Sequence, residues 1–214
     1  MDQRFFKNFI FDIDGTILDS RFATIEAFER MTMKKIGRPL TVEEKAITLH
    51  LPVIDVLAAL KIEANAENMG ELFAHFDELA QGIGLFDGME EVLTQVKARA
   101  NFMAFATNRD RTGSHIVLDQ NGMDKFFDTF VCKDDVKNPK PSGDMLVLLM
   151  KENNLDPHET IYIGNALSDH LAAIDAGIAY GACDWGTDEY LNHDKILLKE
   201  PADILKLLEE KKII

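Results

Sequence analysis

Residues 9–16 read FIFDIDGT, a short apolar run followed at once by two carboxylates and a glycine. The apolar run predicts a buried strand. Ionised carboxylates directly after such a strand are costly to bury unless they are paired or bound to a metal. A solvated turn is the alternative, because Asp and Gly also favour turns. Asp12 and Asp14 are therefore the first candidates for a functional site, at the end of the first strand.

Further apolar runs predict more buried strands, and amphipathic helical patterns lie between them. The predicted strands are Asn8–Asp12, Phe102–Thr107, Thr129–Cys132, Thr160–Gly164 and Ile178–Cys183. The predicted helices are Glu90–Arg99, Thr112–Asn121, Asp144–Asn153, Asp169–Ala176 and Ala202–Lys211. Strands that alternate with helices predict an α/β fold, a doubly wound, Rossmann-like parallel sheet with helices on both faces.

Residues 20–81 break this alternation, because they contain helical patterns and no convincing strand. Thr41 and Glu44 have the spacing of a capping box at a helix start. The helical patterns are Ala23–Lys35, Val42–Leu49, Val53–Lys61 and Glu67–Ala80. We therefore predict an all-helical cap domain at residues 19–82, inserted into a core formed by residues 1–18 and 83–214.

The composition is that of an acidic globular chain. Of 214 residues, 46% are hydrophobic, and 37 Asp and Glu outnumber 23 Lys and Arg, which gives a net charge of −14. This excess repels phosphate backbones and anionic headgroups, so we expect no nucleic acid and no membrane partner, and small ligands or cations instead. The sequence has no transmembrane run and no signal-peptide pattern, and both cysteines lie in apolar runs typical of reduced thiols. We expect a cytoplasmic protein.

Polar residues also follow the other predicted strands, where ligands of open parallel sheets bind. Thr107 and Asn108 can bind an anion, although this pair also commonly opens a helix. Lys140 stands between two prolines that hold it extended, and a solvated surface lysine is the alternative. Asn165 and Asp169 offer oxygen ligands to Mg²⁺, although Asp169 also suits the first turn of a helix.

Together these four sites resemble the motifs of the haloacid dehalogenase-like hydrolase superfamily, whose members are mostly phosphatases. Residues 11–16 are similar to the first motif, Thr107 to the second, Lys140 in its Pro-Lys-Pro setting to the third, and residues 164–169 to the fourth. The helical insertion after the first motif resembles the cap of the subgroup that contains phosphoglycolate phosphatase and β-phosphoglucomutase. The resemblance covers nearly the whole chain.

The resemblance implies a set of catalytic residues. Asp12 is implied as the nucleophile that forms an aspartyl-phosphate intermediate, and Asp14 as the general acid and then the general base. Thr107 and the Asn108 amide are implied to bind the phosphoryl oxygens, and Lys140 to offset negative charge. True dehalogenases of the superfamily carry a different residue in place of Asp14, so the resemblance favours a phosphatase.

The resemblance also implies Mg²⁺ as the cofactor. The implied ligands are the Asp12 carboxylate, the Asp14 main-chain carbonyl and a side chain of the fourth motif, Asn165 or Asp169. Most phosphatases of the family have an aspartate where this chain has Asn165. An amide oxygen carries no full charge, so we expect weaker metal binding, with Asp169 available to compensate.

The implied substrate is a small phosphorylated metabolite of the phosphoglycolate or sugar-phosphate type. We predict Thr16, Asn108, Arg109 and His50 as substrate-binding residues, with Arg109 on an anionic tail and His50 facing the leaving group unless it is a plain loop histidine. Two alternatives stay open, a β-phosphoglucomutase-like phosphomutase and a weakly active or regulatory phosphate-binding module. The sequence does not indicate an oligomeric state.

Overall fold

The computed structural model describes residues 5–51, 53–185 and 196–208. The chain divides into two compact units, one formed by residues 1–19 and 85–214 and the other by residues 20–84. The sequence-based boundaries of the insertion are 19 and 82, and its role as a cap stays a prediction. In the described part of the chain, no helix is long and apolar enough to cross a membrane.

The larger unit contains a six-stranded sheet in which every strand pair is parallel. Its strands are β1 (Asn8–Phe11), β2 (Phe102–Thr107), β3 (Thr129–Cys132), β4 (Thr160–Gly164), β5 (Ala179–Cys183) and β6 (Ile196–Leu198). Their spatial order is β3-β2-β1-β4-β5-β6. All four residues of β1 are buried, as expected of a central strand covered on both faces. The predicted doubly wound α/β fold is confirmed.

Eight α-helices are described, four in each unit. They are α1 (Arg21–Ile36), α2 (Val42–His50), α3 (Val53–Ala59), α4 (Ala66–Leu79), α5 (Met89–Arg99), α6 (Arg111–Asn121), α7 (Asp144–Asn153) and α8 (Leu167–Ala176). In the larger unit, α7 and α8 bury apolar residues such as Met145, Leu149 and Ala172 in one cluster with Ile10 of β1. Burial of these faces fixes the helices to the sheet.

Residues 20–84 form a helical unit with a core of its own. Phe28 and Met31 of α1 pack with Val56, Leu57 and other apolar residues in one buried cluster. The predicted capping box is present at the start of α2, where the Thr41 hydroxyl accepts from the Glu44 amide and the Glu44 carboxylate accepts from the Thr41 amide. All the elements described in this unit are helical.

The sequence prediction differs from the structure near the C-terminus. The short strand β6 was not predicted, because three residues are too few to show a periodic pattern. The predicted helix Ala202–Lys211 is instead a 3₁₀ helix over Pro201–Leu207, and residues beyond 208 lie outside the described part. Ile204 and Leu207 are buried at a spacing of three, which a 3₁₀ helix places on one face.

The register of the sheet brings the polar strand ends together. Phe11 of β1 pairs with Phe105 of β2 and with Ile163 of β4, so the three strands end at nearly the same level. Strands β1 and β4 are also the neighbours at which the strand order reverses direction. Open α/β sheets bind ligands at this point, beyond the carboxyl ends of the strands.

Candidate active site

The loop after β1 begins with Asp12, whose amide donates to the Ile163 carbonyl of β4 at 2.8 Å. The loop then turns at Gly15, which has a φ of +76°. A Cβ atom on this glycine would lie 2.3 Å from Nδ2 of Asn165. Glycine is therefore required both by the backbone conformation and by the close approach of the fourth-motif loop.

Lys140 lies at the centre of a buried group of polar side chains. Its Nζ atom donates to Asp12 Oδ1 at 2.6 Å, to Asp169 Oδ1 at 2.7 Å and to the Tyr162 hydroxyl at 3.0 Å. The side chain of Lys140 is only 4% exposed. A buried ammonium is tolerable only when its protons find partners, and two carboxylates and a hydroxyl supply them here. We call these four residues the lysine cluster.

Burial and charge act against each other in the lysine cluster. Burial by itself lowers the pKa of Lys140, but the attraction of Asp12 and Asp169 outweighs it, so the pKa lies above its ordinary value. Burial raises the pKa of Asp12 to about 7, although the Lys140 charge opposes part of that rise. Lys140 therefore stays charged, while burial favours the protonated form of Asp12.

Asn108 holds the backbone of Lys140 in place. Its side-chain oxygen accepts from the Lys140 amide, and its side-chain nitrogen donates to the Lys140 carbonyl, both at 3.1 Å. The carboxamide therefore fixes the lysine loop to the end of β2. The preceding residue, Thr107, accepts a hydrogen bond at its hydroxyl from the Arg109 amide at 3.1 Å. The predicted contacts of Thr107 and of the Asn108 amide with phosphoryl oxygens stay predictions.

Asp14 is bound by the guanidinium group of Arg109. Arg109 Nε donates to Asp14 Oδ2 at 2.6 Å, and Nη2 donates to Oδ1 at 2.7 Å. This is the paired geometry in which the planar guanidinium matches a carboxylate. The predicted contact of Arg109 with an anionic substrate tail stays a prediction, and in this structure the guanidinium binds the predicted acid–base residue.

Thr16 contacts Asn165 and Trp185, and its predicted substrate contact stays a prediction. Its hydroxyl donates to Asn165 Oδ1 at 3.3 Å, and its carbonyl accepts from Trp185 Nε1 at 3.0 Å. It is fully buried. These contacts bind Asn165 and Trp185 to the loop after β1, so Thr16 helps to orient the fourth-motif carboxamide.

Asp169, whose predicted role as a metal ligand stays a prediction, is bound within the protein. Its Oδ1 accepts from Lys140 and from the Tyr162 hydroxyl, and its Oδ2 accepts from the Ala166 amide at 3.0 Å. Both oxygens are therefore engaged within the protein, and the residue is fully buried. Asn165, which lies against Gly15, is the fourth-motif side chain better placed to reach the loop after β1.

The donors at this site fit a magnesium ion. A hard cation prefers oxygen donors, and the site offers Asp12, the Asp14 main-chain carbonyl and the Asn165 carboxamide. Asn165 packs closely on Gly15, so its carboxamide lies next to the loop that carries the other two donors. In the described residues, no group of three or more His, Cys, Asp or Glu side chains is placed to hold a metal. A metal here would therefore depend on the carboxamide and the main-chain carbonyl as well as on Asp12.

Two tyrosines that were not predicted as site residues support the site. The Tyr162 hydroxyl contacts Lys140, Asp169 and the Ala106 carbonyl, the last at 2.9 Å. The Tyr180 hydroxyl donates to the Gly164 carbonyl at 2.8 Å. A tyrosine within an otherwise apolar strand was the available signal, because a buried hydroxyl needs a hydrogen-bond partner.

His50 is the last residue of α2, in the helical unit. Its side chain lies outside what the structure describes, so its predicted contact with the leaving group stays a prediction.

Comparison with known proteins agrees with this architecture. A family model described as haloacid dehalogenase-like hydrolase matches residues 9–183. The phosphorylated carbohydrates phosphatase of Thermotoga maritima is 28% identical, over 94% of this chain and 97% of that protein. The phosphoglycolate phosphatase of Yersinia pestis is also 28% identical, over 91% of this chain and 90% of that protein.

Solved structures share the fold. A haloacid dehalogenase-like family hydrolase from Streptococcus pneumoniae superposes with a TM-score of 0.78 at 20% identity, over 94% of this chain and 97% of that one. The family model covers most of the chain, and relatives named as phosphatases match over nearly their full length, which together support a phosphatase enzyme. The chain belongs to the haloacid dehalogenase-like hydrolase family.

Proposed function

We propose that the protein is a Mg²⁺-dependent phosphatase that hydrolyses a small phosphorylated metabolite through an aspartyl-phosphate intermediate. The observation that carries the proposal is the lysine cluster. In it a buried ammonium binds Asp12 at the carboxyl ends of the central strands, where open α/β sheets bind ligands. Asp14 lies two residues further along the chain. Perturbed ionisable groups in such a position are typical of catalytic sites.

Asp12 is the nucleophile in this proposal. Its attack forms a bond between a carboxylate oxygen and phosphorus and breaks the bond from phosphorus to the leaving oxygen. Water then attacks the phosphorus of the acyl phosphate, which releases inorganic phosphate and regenerates the carboxylate. Two displacements of this kind are each easier than one direct hydrolysis. Lys140, held 2.6 Å from Asp12, supports the ionised carboxylate before attack.

Asp14 moves the protons. It donates a proton to the leaving oxygen in the first displacement and accepts one from water in the second. The Thr107 hydroxyl and the Asn108 amide, at the end of β2, bind the phosphoryl oxygens, and Lys140 offsets their charge as it develops. Asp169 and Tyr162 act through Lys140, whose ammonium they hold in position.

Asp12, the Asp14 carbonyl and Asn165 would hold the Mg²⁺ ion. When bound, the ion supplies the positive charge that lets a phosphate dianion approach the Asp12 carboxylate. We assign Asp169 to Lys140 instead of the metal, because both of its oxygens accept hydrogen bonds from the protein.

The names of the relatives support phosphorylated carbohydrates or phosphoglycolate as the substrate type. We also propose that residues 20–84 act as the cap that selects the substrate, with His50 as a contact to the leaving group. Apolar residues of that unit form a buried cluster of their own, as in a separate domain.

A hydrolysis assay tests the proposal. Release of phosphate from a panel of sugar phosphates, phosphoglycolate and an aryl phosphate is measured with Mg²⁺ and with EDTA. We expect turnover that needs the metal and that Asp12→Asn abolishes. Asp119→Asn, on the exposed face of α6, is the control and retains turnover. Absence of Asp12-dependent turnover across the whole panel contradicts the proposal.

A further inference from the structure

Asp14 has a contact that its proposed role must break. Both of its carboxylate oxygens accept hydrogen bonds from the one guanidinium group of Arg109, at 2.6 and 2.7 Å. In this paired geometry both oxygens face the guanidinium. Donating a proton to a leaving oxygen requires one of them to turn towards the substrate. The pair must therefore open before Asp14 can act as an acid.

The burial of the two side chains indicates which of them moves. The Asp14 side chain is 34% exposed, whereas that of Arg109 is 12% exposed. The backbone of Arg109 is also held on both sides, because its amide donates to the Thr107 hydroxyl and its carbonyl accepts from the Lys133 amide at 3.2 Å. We expect the guanidinium to stay at the end of β2 while Asp14 leaves it.

The Nε and Nη2 groups of Arg109 that bind Asp14 need a comparable acceptor when it leaves. Charge-assisted, paired hydrogen bonds are among the stronger ones in proteins, and the planar fork of Arg fits a carboxylate or a phosphate. A neutral hydroxyl offers one uncharged acceptor and replaces only part of what is lost. The group that replaces Asp14 on Arg109 is therefore best supplied as an anion, by the substrate.

We infer that Arg109 is a specificity-determining residue: it holds Asp14 until a second anionic group of the substrate, besides the transferred phosphoryl group, takes the place of Asp14 on the guanidinium. The inference deepens the proposed function and rests on it. It narrows the substrate class to phosphate monoesters that also carry a carboxylate or a second phosphate. Such a substrate releases the acid–base residue as it binds, so binding and activation are coupled.

Two matched substrate pairs test this inference. Phosphoglycolate is compared with 2-hydroxyethyl phosphate, and 6-phosphogluconate with glucitol 6-phosphate, because each pair differs in a carboxylate against a hydroxymethyl group. We expect kcat/KM to favour the anionic member by roughly 10- to 100-fold in the unaltered protein. Arg109→Gln should reduce that ratio to near one, and Arg109→Lys, which keeps the charge without the fork, should leave it in between.

The control variant is Arg111→Gln. Arg111 lies two residues away and pairs through Nη2 with both oxygens of Asp135, but it does not contact Asp14. We expect it to preserve the ratio. If Arg109→Gln lowers kcat/KM for both members of a pair equally, Arg109 only supports the structure and the inference is wrong. An unaltered protein that hydrolyses both members equally well also overturns it.

A binding measurement keeps the inference separate from the proposed reaction. In the Asp12→Asn background, calorimetric titration with phosphoglycolate and with 2-hydroxyethyl phosphate compares affinities without turnover. Tighter binding of phosphoglycolate that disappears with Arg109→Gln supports the inference even if no substrate is hydrolysed, in which case only the proposed function fails. Equal affinities for the two compounds contradict the inference whatever the assay shows.

Discussion

Two groups of ion-paired side chains lie at the same end of the sheet, the lysine cluster and the Asp14–Arg109 pair. They differ in burial and in the number of partners. Lys140 is almost wholly buried and binds Asp12, Asp169 and a tyrosine hydroxyl. The Asp14–Arg109 pair is partly exposed. Moving a charge out of the first group leaves another charge buried and unpaired, whereas water can partly replace either partner in the second. The first contact therefore suits a fixed frame, and the second a group that moves.

The largest effect is expected from breaking the lysine cluster. Lys140→Met keeps the unbranched shape and most of the length of the side chain but leaves Asp12 and Asp169 buried without their cation. We expect the free energy of unfolding to fall by about 3–5 kcal/mol. Phosphatase activity should fall by at least roughly 10²-fold, because the charge beside the nucleophile is lost. Urea denaturation and a phosphate-release assay measure the two effects.

A matched lysine shows whether burial is the cause. Lys206 forms an ion pair with Asp203 at an exposed site far along the chain. We expect Lys206→Met to change neither the stability nor the activity appreciably. If both lysine variants unfold at the same urea concentration, the buried ion pairs of the lysine cluster do not stabilise the protein more than an exposed pair does.

The second prediction concerns the exposed pair. Asp14→Asn keeps the shape of the side chain, but the amide cannot act as a general acid or a general base. We therefore expect turnover to fall by roughly 10²–10⁴-fold. The free energy of unfolding should change by less than about 1 kcal/mol, because the pair is partly solvated. A large loss of stability without a loss of turnover would reverse the roles given to the two regions.

A smaller effect is expected at Tyr162, which supports Lys140. Tyr162→Phe removes the hydroxyl that contacts Lys140, Asp169 and the Ala106 carbonyl. We expect a loss of about 1–2 kcal/mol of stability and a decrease of about tenfold in kcat, with less change in KM.

The comparison variant is Tyr180→Phe. The hydroxyl of Tyr180 is also largely buried, but it donates to the Gly164 carbonyl and has no contact with Lys140. Its removal should cost similar stability and affect kcat less. Equal losses of kcat in the two variants would mean that Tyr162 contributes only to packing.

The smallest effect is a pH dependence of Mg²⁺ binding. In the metal-free protein the pKa of Asp12 is raised to about 7 by burial, so the residue is mostly neutral below this pH and ionised above it. Metal binding needs the ionised form and therefore releases a proton. We expect the affinity to rise roughly fivefold from pH 6 to 7 and less than twofold from pH 7 to 8.

Calorimetry in buffers of different ionisation enthalpy measures both the affinity and the proton release. Asp12→Asn is the control, since it cannot lose a proton and should flatten the profile. An affinity that is constant from pH 6 to 8 in the unaltered protein would show that Asp12 does not titrate in this range.

The fold was largely predictable because strands and helices have local signatures. Continuous apolar runs marked the first five strands, and the capping box at Thr41 marked the start of α2. The errors lie where the signature is weak. Strand β6 has only three residues, and the 3₁₀ helix over Pro201–Leu207 buries residues at a spacing that an α-helix also allows.

The site was predictable as a list of residues and less so as a set of contacts. The sequence indicated that Asp12, Lys140 and Asp169 follow strands, and a parallel sheet brings such ends together. It named Asp169 as a metal ligand and Arg109 as a substrate contact, but it did not indicate that they pair with Lys140 and with Asp14. These contacts span 29 and 95 residues of chain, so no local pattern could indicate them.

The sequence by itself determined how the first five strands alternate with helices along the chain, the helical insertion, and the acids and the lysine that follow the strands. These follow from local propensity and from hydrophobic periodicity, which act over a few residues. Only the tertiary structure decided which charges are paired. Register and burial select one acceptor from several acids, because an ammonium or a carboxylate withdrawn from water must find a partner within hydrogen-bond distance.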